Sequence, residues 1–371
     1  MRTAASVITL AVAGLLAASC GGASDTAADG TSAPATTEAP ATTAAPTTTE
    51  ATTTTEATTT TLPETTTTVP ITPEASTVAE LLALDRPIVA AHAGGDQEHP
   101  HSTPYGYAES VLAGVDVLEM DVQLTADDVL IVHHDDTVDG TTPAIGEVRA
   151  MTYDEIAALD NAWWHVPGCW PCRDEAESAY VWRGMRTGDT APPEGYTADD
   201  FRVATFTEIA ERYPNHVLDI EIKIQRGDDG EQDTALGIEA ATELARLIDE
   251  LNRTDSVIVT SFNDDVIAAF RELAPDVVTS PGLAALSGWF LAGGELHPND
   301  LILQVPPTYG DIEVMSEDLT ARAHEEGYEV WVWPNGREEE NIEFYDSMVA
   351  MGADGIIAGA PVAAARHWSG S

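Results

Sequence analysis

Four apolar runs in this chain end in residues able to move protons or hold a cation. Ile88-Val89-Ala90-Ala91 leads into His92-Ala93-Gly94-Gly95. Val117-Leu118-Glu119-Met120-Asp121-Val122 carries two acids. Val129-Leu130-Ile131-Val132 runs into His133-His134-Asp135, and Val217-Leu218-Asp219-Ile220-Glu221-Ile222-Lys223 ends in an acid and an amine. Successive side chains of a strand point to opposite faces, so Glu119 shares a face with Asp121, and Glu221 with Lys223. The carboxylates Glu119, Asp121 and Glu221, the imidazoles of His92 and His134 and the Lys223 amine then converge on one rim. That is a divalent-metal site with acid–base groups beside it; carboxylate oxygens suit a hard cation, Ca2+ or Mg2+. A single Glu-x-Asp on a strand is more often structural, and the joint occurrence is what raises this reading. His134 is preferred to His133 because it shares a face with Leu130 and Val132. His99, His101, His165, His216, His297, His324 and His367 read as surface or structural.

Such a rim needs parallel strands. Strand candidates fall at 87–91, 115–122, 129–132, 217–222, 256–261, 277–280, 301–305 and 329–333, with a ninth apolar run at 355–358. Helical periodicity at 205–213, 239–251 and 265–273 separates several of them. The alternation predicts a (β/α)8 TIM barrel, in which one of the nine runs is not a barrel strand. Its active site would lie at the C-terminal ends of the strands, where the polar residues above are found. Residues 143–202 interrupt the rhythm after the third strand. This insertion holds Trp163, Trp164, Trp170 and Trp182, the pair Cys169 and Cys172, and Arg183 and Arg186. A segment of that length is either a functional lid or a surface excursion with its own aromatic core.

The first 20 residues read as an export signal, with a short basic start and an apolar stretch too short to span a bilayer. Leu15-Leu16-Ala17-Ala18-Ser19-Cys20 resembles a bacterial lipobox, with Ala17 where Leu is usual, so Cys20 is the expected lipidation site and ordinary cleavage nearby is the alternative. Residues 21–76 are Thr, Ala, Pro and Glu, too poor in apolar surface to offset their ordering entropy, and read as a disordered tether. The expected location is the outer face of a bacterial cytoplasmic membrane, reached through the lipid. Residues 77–371 form the barrel domain, with 15 basic against 56 acidic residues, a net charge of −41. That excess argues against nucleic acid as a partner and means that an anionic substrate needs its own local cations. Cys169 and Cys172 are expected to pair as a disulfide in an exported protein. A redox pair or a zinc site with His165 are the alternatives.

The order of these motifs resembles the glycerophosphodiester phosphodiesterase family over nearly all of residues 86–361. The resemblance rests on His92, Glu119-Met120-Asp121, His134-Asp135, Thr141-Thr142, Thr205-Phe206-Thr207-Glu208, Glu221-Ile222-Lys223, Ser261-Phe262 and Gly352-Ala353-Asp354-Gly355-Ile356-Ile357. It implies a TIM barrel and two catalytic histidines, His92 and His134. It implies metal ligands at Glu119, Asp121 and Glu221, a phosphate contact at Lys223, and a pocket aromatic at Trp333 or Trp331. The chain departs from the family at three places. His-Arg-Gly is His92-Ala93-Gly94, Pro-Glu-Asn-Thr is Pro100-His101-Ser102-Thr103, and the arginine after His-Asp is Gly140. Arg183 or Arg186 is expected to reach over the site in place of the missing arginine, with the insertion's tryptophans lining the alcohol pocket. The alternative is that both pair with acids of their own loop. The activity implied is metal-dependent hydrolysis of a small phosphodiester or lysophospholipid. A catalytically impaired barrel that binds phosphorylated envelope material, and a related barrel phospholipase, are the competing readings.

Overall fold

The computed structural model describes residues 72–169, 172–227 and 232–368. The export signal, Cys20 and the tether as far as residue 71 lie outside them. The strands are β1 (Ile88–Ala91), β2 (Val117–Leu124), β3 (Leu130–Val132), β4 (Val217–Ile222), β5 (Val257–Thr260), β6 (Val278–Thr279), β7 (Ile302–Val305), β8 (Thr308–Tyr309), β9 (Ile312–Glu313), β10 (Glu329–Val332) and β11 (Gly355–Ala358). The helices are α1 (Val78–Leu81), α2 (Pro104–Ala113), α3 (Tyr153–Ala157), α4 (Phe206–Arg212), α5 (Thr234–Glu250), α6 (Asp264–Leu273), α7 (Leu283–Ala292), α8 (Glu317–Glu326), α9 (Ile342–Ala350) and α10 (Pro361–Trp368).

Eight strands run parallel in the order β6-β5-β4-β2-β1-β11-β10-β7. The ends of that path meet at a parallel bridge between Thr279 and Asp300, with the Leu301 N–H donating to the Thr279 carbonyl at 3.2 Å. The expected eight-stranded barrel is therefore nearly closed. The run that does not belong to it is 129–132. β3 pairs antiparallel with β2, Val132 opposite Val122. The chain reverses at Asp128, which takes a left-handed φ of 59°, and the Thr125 hydroxyl accepts from the Val129 N–H at 3.1 Å. The insertion thus follows a hairpin, not a third barrel strand.

Strand alternation divides the apolar residues into two layers. Ile88, Ala90, Val117, Val217, Ile258, Ile302, Trp331 and Ile357 form the barrel interior, closed below by Val78 and Leu81 of α1. Val89, Leu118, Ile220 and Val259 face outward against Leu244 and Ile248 of α5 and Phe270 of α6. Two residues above the apolar floor, three of these interior positions turn polar: Glu119 over Val117, Asp219 over Val217 and Gln304 over Ile302. Glu119 stands opposite Asp219, and Asp121 opposite Glu221. The acids are thus stacked toward the C-terminal rim while hydrophobic burial is concentrated beneath them.

Trp331 belongs to the floor. It is fully buried, and a β-carbon on Gly355 would stand 3.0 Å from its indole, so β11 supplies a glycine where the ring lies. This removes Trp331 from the expected substrate pocket. Trp331→Ala should destabilise the barrel by about 3–5 kcal/mol, measured by denaturant unfolding. An unchanged midpoint would contradict its place in the floor.

Candidate active site

The chain leaves β1 at Ala91 and turns sharply. Ala93 adopts a φ of 46°, uncommon for a residue with a β-carbon, and its N–H donates to the buried Glu119 Oε2 at 2.6 Å. That bond ties the His92 loop to β2. The His92 Nδ1 lies 3.3 Å from Asp96 Oδ2. His134 follows β3, with its Nδ1 2.7 Å from Asp135 Oδ1. The two rings face each other edge to face, centroids 6.5 Å apart. Both remain reachable, with side chains 29% and 24% exposed. His133 is buried, its Nε2 3.1 Å from the Thr137 carbonyl. Burial alone would lower the His92 imidazole, but the charges of Asp96, Glu119 and Asp121 hold it well above its ordinary value.

Lys223 stands between two of the carboxylates, its Nζ 3.1 Å from Glu221 Oε1 and 3.5 Å from Asp121 Oδ1. Burial would raise Asp121, yet Lys223 and the two histidines hold it below the usual carboxylate range. Glu119 goes the other way: burial and the neighbouring Asp121 hold it well above that range. Asp219 lies below them, where Gln304 Nε2 donates to both its oxygens at 2.8 and 2.9 Å. Burial, joined by the charges of Glu221 and Asp121 and opposed by Gln304, pushes Asp219 up to about 7.

Among the described residues, no three His, Cys, Asp or Glu side chains stand close enough as they lie to hold a metal ion. The donor chemistry does fit a hard divalent cation. Asp121 Oδ2 is buried and accepts no hydrogen bond, and Glu119 sits beside the like charges of Asp121 and Asp219, opposed by His92 and the Ala93 N–H. A buried, unpartnered carboxylate oxygen beside two further carboxylates is costly without an added cation.

Structure and sequence part company at the arginines. Arg183 lies in an aromatic cage, 3.9 Å over Tyr180, 4.5 Å over Trp163 and 4.9 Å over Trp164. Its Nη1 meets Glu177 at 2.7 Å and its Nε donates to the Trp163 carbonyl at 3.0 Å. Arg186 donates to the Ala157 carbonyl at 2.9 Å and meets Asp199 at 2.5 Å. These partners all lie within the insertion, so the expected phosphate clamp gives way to cross-links inside the loop. Trp182 is likewise spent on the insertion's core with Tyr105, Met185, Tyr196 and Phe201. Cys169 and Cys172 are joined as a disulfide. Trp333, two residues above the floor, is half-buried and meets the exposed Phe262 edge to face, ring centroids 6.2 Å apart.

His101 was not legible as a site residue. It is buried, 5.9 Å from the His134 ring and 6.4 Å from the His133 ring. Asn161 of the insertion fixes it from behind. Its Nδ2 donates to the His101 carbonyl at 2.9 Å, and its Oδ1 accepts from Thr141 at 2.6 Å. The insertion therefore buttresses the loops that carry the histidines. Gly140 has a reason of its own, because a β-carbon there would stand 2.4 Å from Asp135 Oδ2.

The model of the Glycerophosphoryl diester phosphodiesterase family matches residues 92–362. A glycerophosphodiester phosphodiesterase of Caldanaerobacter subterraneus is 26% identical over 279 residues, 74% of this chain and 94% of that one. Another, of Bacillus subtilis, is 27% identical over 215 residues, 56% of this chain and 64% of that one. The fold is similar to that of a glycerophosphodiester phosphodiesterase from Agrobacterium tumefaciens, with a TM-score of 0.53 at 19% identity over 75% of this chain and 99% of that one. It is similar also to an Oleispira antarctica phosphodiesterase solved with its product sn-glycerol-3-phosphate, with a TM-score of 0.53 at 16% identity over 75% of this chain and 94% of that one.

Proposed function

This chain belongs to the glycerophosphoryl diester phosphodiesterase family, and from that premise we propose how its own residues divide the hydrolysis of a glycerophosphodiester among them. The observation that carries the reading is the pair of partly exposed imidazoles, His92 and His134, facing each other with centroids 6.5 Å apart beside the buried carboxylates. One takes a proton from the nucleophile, water or a neighbouring substrate hydroxyl. The other gives a proton to the leaving alcohol. With water as the nucleophile, the diester becomes an alcohol and a phosphomonoester. Asp135 fixes the ring of His134 through Nδ1, and its carboxylate is suited to that: burial would raise it, but His134 and the neighbouring histidines hold it at about 2. Lys223 contacts the phosphate and offsets its charge. Glu119, Asp121 and Glu221 would hold Ca2+ or Mg2+, which when bound supplies Lewis-acid stabilisation of the phosphoryl oxygens. Trp333 and Phe262 line the alcohol side.

The test is a panel of glycerophosphocholine, glycerophosphoethanolamine and lysophosphatidylcholine, with products identified by phosphorus NMR. A phosphomonoester and free alcohol are expected. A cyclic phosphate would instead show attack by the substrate's own hydroxyl, as in a related barrel phospholipase. Binding without any product would show a barrel that has lost its chemistry. Arg183→Ala and Arg186→Ala should keep wild-type KM and kcat, because both guanidinium groups are engaged within the insertion. A large rise in KM for either would return it to the substrate.

The envelope assignment is a proposal of the same kind. It rests on the apolar start, the lipobox-like residues before Cys20 and the Thr-rich segment behind them. Cys20→Ala should move the protein from the membrane to the soluble fraction of fractionated cells. Retention of the variant in the membrane would sink the lipid anchor.

A further inference from the structure

Asp96 lies four residues beyond His92 on the same loop and is 4% exposed. Its Oδ2 is the atom 3.3 Å from His92 Nδ1. Its Oδ1 is buried, accepts no hydrogen bond and points at the loop after β11. A β-carbon on Gly359 would stand 2.5 Å from Asp96 Oδ1 and 2.8 Å from Glu340 Oε1. Glycine at this place is what lets the two carboxyl groups approach. The remaining oxygen of Glu340, Oε2, accepts the Gly359 N–H at 2.8 Å and the Tyr345 hydroxyl. The Gln97 N–H in turn donates to the Gly359 carbonyl at 2.9 Å. The loop that carries His92 is thus stitched to the end of β11 around one glycine.

The same construction occurs on the other side of the site. His134 Nδ1 meets Asp135 Oδ1 at 2.7 Å, and Asp135 Oδ2 fills the space where Gly140 would have a β-carbon. Each histidine presents its Nδ1 to an aspartate, and each aspartate rests against a glycine. Holding Nδ1 in this way leaves Nε2 as the atom that faces the substrate and fixes the tautomer. Two carboxyl groups meeting in a buried place do not both ionise readily. Burial and then the charge of Asp96 push Glu340 up to about 7.

We infer that Asp96 is the positioning residue of His92, packed beside Glu340 in the space that Gly359 leaves open, so that the two histidines form matched His–Asp pairs. The inference rests on His92 being an acid–base residue, and the experiment separates the two. Initial rates on glycerophosphocholine are measured for wild type, His92→Ala, Asp96→Ala, Asp96→Asn and the double variant His92→Ala/Asp96→Ala, each checked for folding by thermal melting. Asp96→Ala and Asp96→Asn should each lower kcat by roughly tenfold or more with little change in KM, as loss of an orienting carboxylate does. In the His92→Ala background, Asp96→Ala should cost nothing further. If Asp96→Ala lowers kcat by the same factor in both backgrounds, the residue serves the fold and the inference is overturned. Wild-type kcat in a folded Asp96→Asn protein, the variant closest in shape, overturns it as well. If His92→Ala itself keeps wild-type activity, the premise about His92 fails, a result distinct from either.

Discussion

His92→Ala and His134→Ala should each lower the turnover of a glycerophosphodiester by roughly a hundredfold or more, the usual loss when a general acid or base is removed. The reason lies in their setting. Their Nδ1 atoms are held by Asp96 and Asp135 at 3.3 and 2.7 Å, and both rings are open to a substrate above the carboxylates. His133→Ala should behave differently. That ring is buried, with its Nε2 3.1 Å from the Thr137 carbonyl, so its loss should lower the melting temperature more than kcat. Steady-state kinetics beside thermal melts for the three variants decide the point. A collapse of kcat in a stable His133→Ala, with His134→Ala unaffected, would reverse the assignment.

Chelation should abolish activity, and Glu119→Gln should remove divalent-cation binding while leaving the fold intact. The amide keeps an oxygen to accept the Ala93 N–H, now made at 2.6 Å, so the turn after β1 survives. What the variant loses is the ability to ionise toward a cation, at a place where burial and Asp121 hold Glu119 above the usual carboxylate range. Binding has a readout apart from catalysis. A cation at a hundred times its Kd stabilises the folded protein by about 2.7 kcal/mol, so Ca2+ or Mg2+ should raise the melting temperature of wild type and not of Glu119→Gln. Full activity in excess chelator, or an equal thermal shift in both proteins, would remove the metal from the account.

Much of this site could be read from strand parity. An alternation of two puts Glu119 with Asp121 and Glu221 with Lys223, and parallel pairing of β2 with β4 then sets Asp121 opposite Glu221. Parity has limits that the structure exposes. Trp331 and Trp333 point the same way, so only their height in the barrel tells the floor from the rim, and periodicity does not encode height. β3 is as apolar as a barrel strand. Its distance along the chain was the better signal, because Leu124 to Leu130 leaves no room for the dozen-residue crossover that parallel neighbours need. The arginines followed a different rule. With acids in excess, each one found a partner near in sequence, Glu177 for Arg183 and Asp199 for Arg186. His101 and Asn161 carried no periodic signal. They meet the site through irregular loops, where contact depends on tertiary packing alone.

The central claim is that the barrel mouth between His92 and His134 hydrolyses a glycerophosphodiester. It is tested most directly by incubating the purified full-length protein, and its His134→Ala variant, with glycerophosphocholine and a divalent cation. The phosphorus products are followed by NMR. The account predicts that wild type accumulates glycerol phosphate as choline is released in equal amount, while the folded variant forms almost none. Equal product from both proteins, or none from wild type with Ca2+ or with Mg2+, would contradict it.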